Sequence, residues 1–195
     1  YLKEAVESER LGKLESLQLW RGGPMPDWSW QGWLQDHERS GGALLDLHVH
    51  DTDFVHYLLG RPNAVSSTGA IGPSDGYDTV ESVFHYDEKM AVTAGGSMGL
   101  PDGFPFHMRY LAGFEKGALM FNTLESPPLM EITDSGEFHP DVPETDGYHE
   151  EIKYYIKCLD NNEQPAMATP ESSAFSIELI WAEYESIESG KTVTL

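Results

Sequence analysis

The densest group of chemically capable side chains lies in the octapeptide "DLHVHDTD", residues 46–53. It holds two histidines, His48 and His50, and three aspartates, among them Asp46 and Asp53. Imidazole and carboxylate groups suit two kinds of chemistry, the binding of a metal ion and the transfer of protons. Which of the two is possible depends on the secondary structure that carries the octapeptide.

The octapeptide lies within a segment that is predicted to be helical. Residues 43–59 contain neither Gly nor Pro, and Gly60 and Pro62 follow directly. This run is too long for an ordinary strand, and a Gly followed by a Pro is typical of the end of a helix. The pattern therefore predicts one helix from residue 43 to residue 59.

A metal site is the first alternative for the two histidines. "LLDLHVH" resembles the strand with which amidohydrolases hold a metal ion through two histidines. In a strand, His48 and His50 would lie on one face, whereas in a helix they point about 160° apart. Because the helix is favoured, the two histidines cannot share an ion, and no metal is predicted.

Proton transfer is the second alternative. In a helix, Asp46, His50, Asp53 and Tyr57 fall within about 60° of arc. A carboxylate one turn before a histidine can hydrogen-bond the ring, fix its tautomer and stabilise the imidazolium, so that the histidine takes a proton from a substrate hydroxyl. Such pairs also decorate helix surfaces, so the pattern alone leaves both interpretations open. Asp53 is expected to cap the helix or bond nearby backbone.

The remaining elements predict an α+β fold. Residues 13–21 alternate in the manner of a strand, and short segments rich in Val, Thr, Phe and Tyr follow between residues 64 and 133. Tight turns separate these segments, which indicates one large, mainly antiparallel open β-sheet with helices on one face. Residues 2–11 are typical of the end of a helix, residues 22–36 of a loop rich in Gly, Pro and Trp, and residues 191–195 of a last strand.

Two further helices are predicted near the end of the chain, over residues 148–161 and 170–189. Asp146 is the candidate N-cap of the first helix. Thr169 is the candidate N-cap of the second, with a proline at its first helical position, and Gly190 ends it.

Composition limits the classes of function. The chain has 195 residues, which suits one domain, and a net charge of −21, which repels nucleic acid and anionic membranes. No apolar run reaches the ~18 residues of a membrane span. The single cysteine, Cys158, excludes an internal disulfide, is expected to be buried, and favours the cytoplasm. The start at Tyr1, within a helix-like stretch, predicts no signal peptide and a cut from a longer protein.

Several ordered motifs resemble the Gfo/Idh/MocA oxidoreductases. "SGGALLDLHVHDTDFVHYLLGRP" is similar to the signature helix of that family, with a Gly-Gly lead-in, Asp-x-x-x-His-Asp-x-Asp and a closing Leu-Gly-x-Pro. "LGKLESLQLW" resembles its first C-domain strand, "GFEKGALMFN" its hairpin, and the segment from Tyr148 to Leu195 its closing helices. The resemblance covers nearly the whole chain and implies the C-terminal fold of this family, which is like the C-terminal domain of glyceraldehyde-3-phosphate dehydrogenase.

The resemblance implies an NAD(P)-dependent enzyme with two domains, of which this chain is the second. The N-terminal Rossmann domain would carry a glycine-rich fingerprint and a catalytic lysine. No G-x-G-x-x-G follows a strand here, and "GGSMG" at residues 95–99 is expected to be a turn or bulge. Residues 1–195 are therefore expected to form one substrate-binding and oligomerisation domain that is inactive alone, with NAD or NADP bound mainly by the missing domain.

Carried over by position, the family's Asp-x-x-x-His pair falls on Asp46 and His50. The resemblance implies that His50 exchanges the hydroxyl proton while hydride moves to or from the nicotinamide, and that Asp46 orients His50. It implies sugars, inositols or related polyols as substrates. The alternative is a non-catalytic sugar-binding or regulatory module of the same fold. His48, where the family often has Gly, is expected to serve packing or an interface.

Four residues are candidates for substrate binding, each with a structural alternative. Trp30 and Trp33, together with Trp28 of the same loop, could stack on a sugar or pack the loop. Arg21 could reach a substrate oxygen or form a salt bridge. Tyr148 opens the first closing helix, near the pocket that the resemblance implies. His107 and Arg109 alternate along one strand and are expected to form a polar sheet face.

The apolar character of the strands indicates that the second face of the sheet is covered by a partner. Segments such as "AVTAGGSM", residues 91–98, are too apolar to remain in water. A homo-oligomer, dimer or tetramer, is therefore expected to form through this face.

Overall fold

The computed structural model describes residues 1–143 and 145–195. Within these ranges one sheet is formed by strands β1 (Leu14–Pro24), β2 (Ala64–Ile71), β3 (Tyr77–His85), β4 (Ala91–Leu100), β5 (His107–Phe114), β6 (Gly117–Asn122), β7 (Leu129–Thr133), β8 (Gly136–Phe138) and β9 (Val193–Thr194). The helices are α1 (Leu2–Ser8), a 3₁₀ helix (Trp30–Gln35), α2 (His37–Ser40), a π-helical turn (Leu44–His48), α3 (Val49–Leu59), α4 (Gly147–Asn161) and α5 (Pro170–Ser189). In the described residues no helix is long and apolar enough to cross a membrane.

The strand order is β8-β7-β6-β5-β1-β4-β3-β2-β9. Every neighbouring pair is antiparallel except β1 and β4, which are parallel and lie near the centre. This arrangement confirms the predicted α+β class with a large, mainly antiparallel open sheet. Because β1 is central, its carboxyl end brings Arg21 beneath the helix that carries the octapeptide.

Helices cover one face of the sheet, and the main core lies between them. Along β1, Leu17 and Leu19 are buried on the helical side, while Gln18 is exposed on the other side, as the period of a strand requires. Helices α3 and α5 pack on each other and on neighbouring strands. The buried residues of this core include Val55, Leu58, Val65, Phe84, Val92, Ala94 and Ala112.

Two details differ from the sequence-based expectations. Strand β1 continues to Pro24, past the loop start predicted at residue 22, because Gly22 still pairs with Ser97 of β4. Residues 95–99, expected to form a turn or bulge, lie inside β4 instead. The glycines fit a strand here because a Cβ at Gly95 would collide with the carboxylate of Glu81.

The predicted helix boundaries near the end of the chain are confirmed. The Asp146 side chain accepts a hydrogen bond from the backbone N–H of Tyr148, and Thr169 accepts one from Ser172. Gly190 ends α5 with a φ of 65°, a left-handed conformation that glycine adopts readily. Cys158 is buried, as expected.

Candidate active site

The backbone at the beginning of the helix that carries the octapeptide is hydrogen-bonded to a buried carboxylate. Gly41 and Gly42 both have a positive φ, which explains the Gly-Gly pair in the sequence. Asp78 is fully buried and accepts hydrogen bonds from the backbone N–H of Ala43 at 3.2 Å and of Ser74 at 2.7 Å. The backbone N–H of Ala43, at the beginning of the helix, is thereby satisfied by a side chain of β3.

The predicted helix over residues 43–59 is present, with one change at its beginning. Residues Leu44–His48 form a π-helical turn, and α3 continues from it without interruption. Such turns are rare and frequently occur at functional sites. The sequence arithmetic assumed a uniform α-helix and could not detect this turn.

The two histidines of the octapeptide lie in opposite surroundings. His50 is exposed, whereas His48 is completely buried. This separation agrees with the helical arithmetic and is incompatible with both histidines binding one metal ion.

Two concavities, each of about 640 Å³, adjoin at Arg21, His50 and Met108, which line both. The first is mainly apolar and lies between α1, α3 and strands β5–β7; its lining includes Leu19, Phe54, Tyr57, Tyr110, Phe121 and Leu129. The second lies beneath the tryptophan loop; its lining includes Asp27, Trp28, Trp33, Asp46, Phe104 and Tyr148. The second concavity, hereafter the Trp-loop cavity, therefore contains both members of the predicted acid–base pair.

Asp46 and His50 influence each other electrostatically within the Trp-loop cavity. Partial burial raises the pKa of Asp46 above its usual value, and the positive charge of His50 opposes this rise. A half-buried carboxylate beside an accessible imidazole can stabilise the imidazolium after the ring accepts a proton. The arrangement is thus capable of general acid–base chemistry on a ligand in this cavity.

Arg21 forms the salt bridge that the sequence left as its alternative role. Its Nε and one terminal nitrogen donate to the two carboxylate oxygens of Asp51 at 2.8 and 2.9 Å. Asp51 is buried, and the Arg21 side chain is only 20% exposed. Because Arg21 still lines both concavities, a contact with substrate stays a prediction.

Three of the four predicted substrate-binding residues line the Trp-loop cavity. Trp33, Tyr148 and Arg21 do so, and Tyr148 is 76% exposed at its rim. Trp30 is 74% exposed and does not belong to the lining of this cavity. The 3₁₀ helix is kinked by positive φ angles at Gln31 and Gly32, which separates Trp30 from Trp33.

Trp28, which belongs to the same loop, lines the cavity although Trp30 does not. It is 78% exposed and lies in the cavity lining. The spacing of the three tryptophans could not select between them, because the loop has no regular period. Met108 and Phe104 also line the cavity, and as apolar side chains they carried no signal of their own.

A buried polar network, which the sequence did not reveal, lies behind the helix. His48 Nε2 is 2.7 Å from a carboxylate oxygen of Glu183, and Thr52 Oγ1 donates to the other oxygen at 2.8 Å. Ser82 of β3 also donates to Glu183. Burial lowers the pKa of His48, but the charge and hydrogen bond of Glu183, together with the charges of Asp51 and Glu81, raise it above its usual value overall. Glu183 lies 131 residues beyond Thr52, so no local pattern links the two.

The remaining candidates have structural partners. Asp53 accepts a hydrogen bond from Ser176 Oγ of α5 at 2.6 Å, so the expected cap or backbone bond is wrong and Asp53 joins two helices instead. His107 pairs with Asn122 at 2.9 Å, and the Arg109 guanidinium lies 5.9 Å from the centre of the Trp20 ring.

Comparison with protein families identifies the class of domain to which this fold belongs. The chain matches the family model described as "GFO/IDH/MocA C-terminal domain" over residues 1–120. The chain belongs to the Gfo/Idh/MocA family, which confirms the resemblance inferred from its motifs.

Curated relatives are sugar and inositol dehydrogenases. A myo-inositol 2-dehydrogenase of Thermotoga maritima is 25% identical over 100% of this chain and 60% of its own length. A D-xylose 1-dehydrogenase (NADP(+)) of Haloferax volcanii is 24% identical over 82% of this chain and 50% of its own length. The chain therefore spans about half to three fifths of the length of these relatives.

Solved structures share the fold at low sequence identity. Levoglucosan dehydrogenase in complex with NADH and levoglucosan matches 99% of this chain and 61% of its own chain, with a TM-score of 0.82 and 17% identity. An oxidoreductase from Agrobacterium radiobacter in complex with NAD+, L-tartaric acid and magnesium covers 99% of this chain and 60% of its own, with a TM-score of 0.79 and 18% identity. At such identities the likeness establishes the fold.

Proposed function

We propose that this chain is the C-terminal, substrate-binding domain of an NAD(P)-dependent dehydrogenase that acts on a secondary hydroxyl of a sugar, an inositol or a related polyol. The observation that carries the proposal is that Asp46 and His50, on the family's signature helix, line one cavity of about 640 Å³. The curated relatives, which are inositol and xylose dehydrogenases, support the choice of substrate class.

The residues of this chain handle the proton of the reaction. In the oxidation, His50 Nε2 or Nδ1 accepts the hydroxyl proton as the C–O bond becomes a carbonyl, and Asp46 stabilises the resulting imidazolium. A bound nicotinamide cofactor would supply the acceptor for the hydride of the same carbon. In the reverse direction His50 returns the proton to the alkoxide oxygen.

The cofactor itself is proposed to be bound mainly by a part of the protein outside this chain. In the described residues, the glycine-rich run at 95–99 lies inside strand β4 and not at a turn from a strand into a helix. It therefore offers no cradle for a pyrophosphate, whose usual site is such a turn. We infer that the isolated chain has no turnover, and that the choice between NAD and NADP depends on the other domain.

The lining of the Trp-loop cavity suits a polyol ligand. Trp28, Trp33 and Tyr148 offer aromatic faces for the apolar side of a sugar ring, and Arg21 and Asp46 offer a donor and an acceptor for hydroxyl groups. Trp30 is left out of this proposal because it lies outside the lining.

We also propose that the protein forms a homo-oligomer, a dimer or tetramer, through the open face of the sheet. Leu111 of β5 and Met120 of β6 are exposed by 44% and 37% on adjacent strands, and Val83 of β3 is exposed by 40%. A partner would cover this apolar surface. A cytoplasmic location is proposed on the basis of the single, buried cysteine.

The test uses the complete protein with myo-inositol, D-xylose and levoglucosan, each assayed with NAD and NADP. We expect His50→Gln to lower kcat/KM by about 10²–10⁴-fold and Asp46→Asn by a smaller factor, because a positioned proton acceptor contributes about that much. His85→Gln, an exposed histidine of β3, is the matched control. Unchanged turnover in His50→Gln would contradict the catalytic role of His50. Binding of these substrates without turnover in the wild type would favour the regulatory alternative.

A further inference from the structure

Two pairs of residues, each four positions apart, alternate along the octapeptide. Asp46 and His50 form one pair, and His48 and Thr52 form the other. An offset of two residues is about 200° around a helix, so the two pairs lie on opposite faces. The burial agrees, because His48 and Thr52 are both 0% exposed while the first pair lines the Trp-loop cavity.

Both buried members of the second pair bind one carboxylate of α5. Glu183 is 0% exposed, is paired with His48 at 2.7 Å and accepts a hydrogen bond from Thr52 at 2.8 Å. Ser82 of β3 provides a third hydrogen bond. Since a buried carboxylate that loses its partners is strongly destabilising, the helix cannot rotate without a large cost in free energy.

We propose that His48, Thr52 and Glu183 are positioning residues, which fix the rotation of the signature helix on both sides of the π-helical turn so that Asp46 and His50 face the cavity. This inference rests on the proposed function of that pair. A rotation of α3 by one residue relative to the π-helical turn, about 100°, would carry His50 out of the cavity and away from Asp46.

The location of His48 within the helix strengthens the inference. It is the last residue of the π-helical turn, where the number of residues per turn changes. A contact at this junction controls the direction of the side chains on both sides of it, Asp46 within the turn and His50 after it. Glu183 thus holds the helix at the position where its rotation is least determined by regular hydrogen bonding.

The remaining ring nitrogen of His48 indicates that the contact with Glu183 is the reason for this residue. His48 Nδ1 is buried and has no hydrogen-bond partner among the described residues. An unpaired buried polar atom is destabilising, so an apolar side chain would suit packing better. A histidine at this position is therefore explained by the directional bond of Nε2 to Glu183.

The first experiment measures the electrostatic coupling between Asp46 and His50 in this chain. The pKa of Asp46 is obtained by NMR of its carboxyl carbon, with and without His50→Gln. In the wild type, His50→Gln is expected to raise the pKa of Asp46, because the charge of His50 lowers it. In the His48→Gln background, the π-helical turn and α3 can rotate relative to each other, which separates Asp46 from His50, so that rise is expected to fall to about half or less.

A milder variant and a control keep the result decisive. Thr52→Val retains the shape of the side chain but removes one hydrogen bond to Glu183, and it replaces His48→Gln if that variant does not fold. His85→Gln removes a distant exposed histidine and should leave the coupling unchanged. An Asp46–His50 coupling of wild-type size in a folded His48→Gln or Thr52→Val protein would overturn the positioning role.

The second experiment uses the complete protein. Thr52→Val is expected to lower kcat at least about threefold with KM within about twofold of the wild type, because the substrate still binds while the proton acceptor is misdirected. An unchanged kcat would contradict the positioning role. A wild-type protein without activity would overturn the proposed function instead, and the NMR coupling would still decide whether His48 orients Asp46 and His50.

Discussion

The two faces of the signature helix carry the same kinds of side chain in different surroundings. On the cavity face, Asp46 and His50 are accessible from a large open concavity. On the opposite face, His48 meets Glu183 with no exposure to solvent, and Thr52 completes the contact. The comparison teaches that access, and not residue type, separates the pair that can exchange a proton with a ligand from the pair that holds the helix.

The pKa directions of the two faces reflect the same difference. Partial burial raises the pKa of Asp46, and the nearby His50 charge opposes this rise. For His48, burial lowers the pKa, but the contact with Glu183 raises it overall. On both faces, burial and the charge of the partner therefore act on the pKa in opposite directions, and only the cavity face is accessible to a ligand.

The largest effect is expected when the buried pair is broken. Glu183→Ala leaves His48 without its counter-ion and removes the acceptor of Thr52 and Ser82. We expect the free energy of unfolding to fall by about 3–5 kcal/mol, as measured by urea denaturation, because an uncompensated charge would remain buried.

A matched acidic residue on the same helix provides the control for this prediction. Glu178 is exposed on α5, so Glu178→Ala should change the free energy of unfolding by less than about 0.5 kcal/mol. If Glu183→Ala lowered the free energy of unfolding as little as Glu178→Ala, the contact between His48 and Glu183 would not stabilise the fold.

The second prediction concerns the pH dependence of stability. The folded-state pKa of His48 is raised above the usual histidine value of 6.5, so the folded protein holds this proton more tightly than the unfolded chain. Its stabilising contribution is complete below about pH 6.5 and is lost as the pH rises through the folded-state pKa. Urea unfolding from about pH 5 to about pH 9 should show this loss in the wild type and a flatter curve in His48→Gln. Parallel curves would contradict a charged His48.

A smaller loss of stability is expected at Arg21 of β1, which binds Asp51 of α3. Arg21→Lys cannot keep the two-point contact with Asp51, and we expect the free energy of unfolding to decrease by about 1–2 kcal/mol in urea denaturation. Arg109→Lys, an exposed position on the same sheet, should stay within about 0.5 kcal/mol of the wild type. Equal effects at the two arginines would show that the Arg21–Asp51 pair adds no stability.

Much of the fold could be predicted from the sequence because its signals are local. The unbroken run before Gly60 predicted the signature helix, and Asp146 and Thr169 marked the starts of α4 and α5 correctly. The opposite directions of His48 and His50 also followed from helical geometry alone. These features depend on period and capping, which a single sequence contains.

The parts that could not be predicted depend on distant residues or on small changes of backbone. The partner of His48, Glu183, comes from a helix far along the chain, and the partner of Asp53, Ser176, comes from the same helix. The π-helical turn leaves no mark in residue type. Nor could spacing decide between Trp28 and Trp30, since the kink at Gln31 and Gly32 depends on the packing of the loop.

The central claim is tested most directly by a matched pair of histidine variants in the complete protein. For His48→Gln and His50→Gln, both the free energy of unfolding and the single-turnover rate of hydride transfer are measured. We expect His50→Gln to abolish most of the rate while leaving stability within about 0.5 kcal/mol, and His48→Gln to lower stability clearly. Stability lost in His50→Gln with the rate preserved, or no loss of stability in His48→Gln, would contradict the assignment of the two faces.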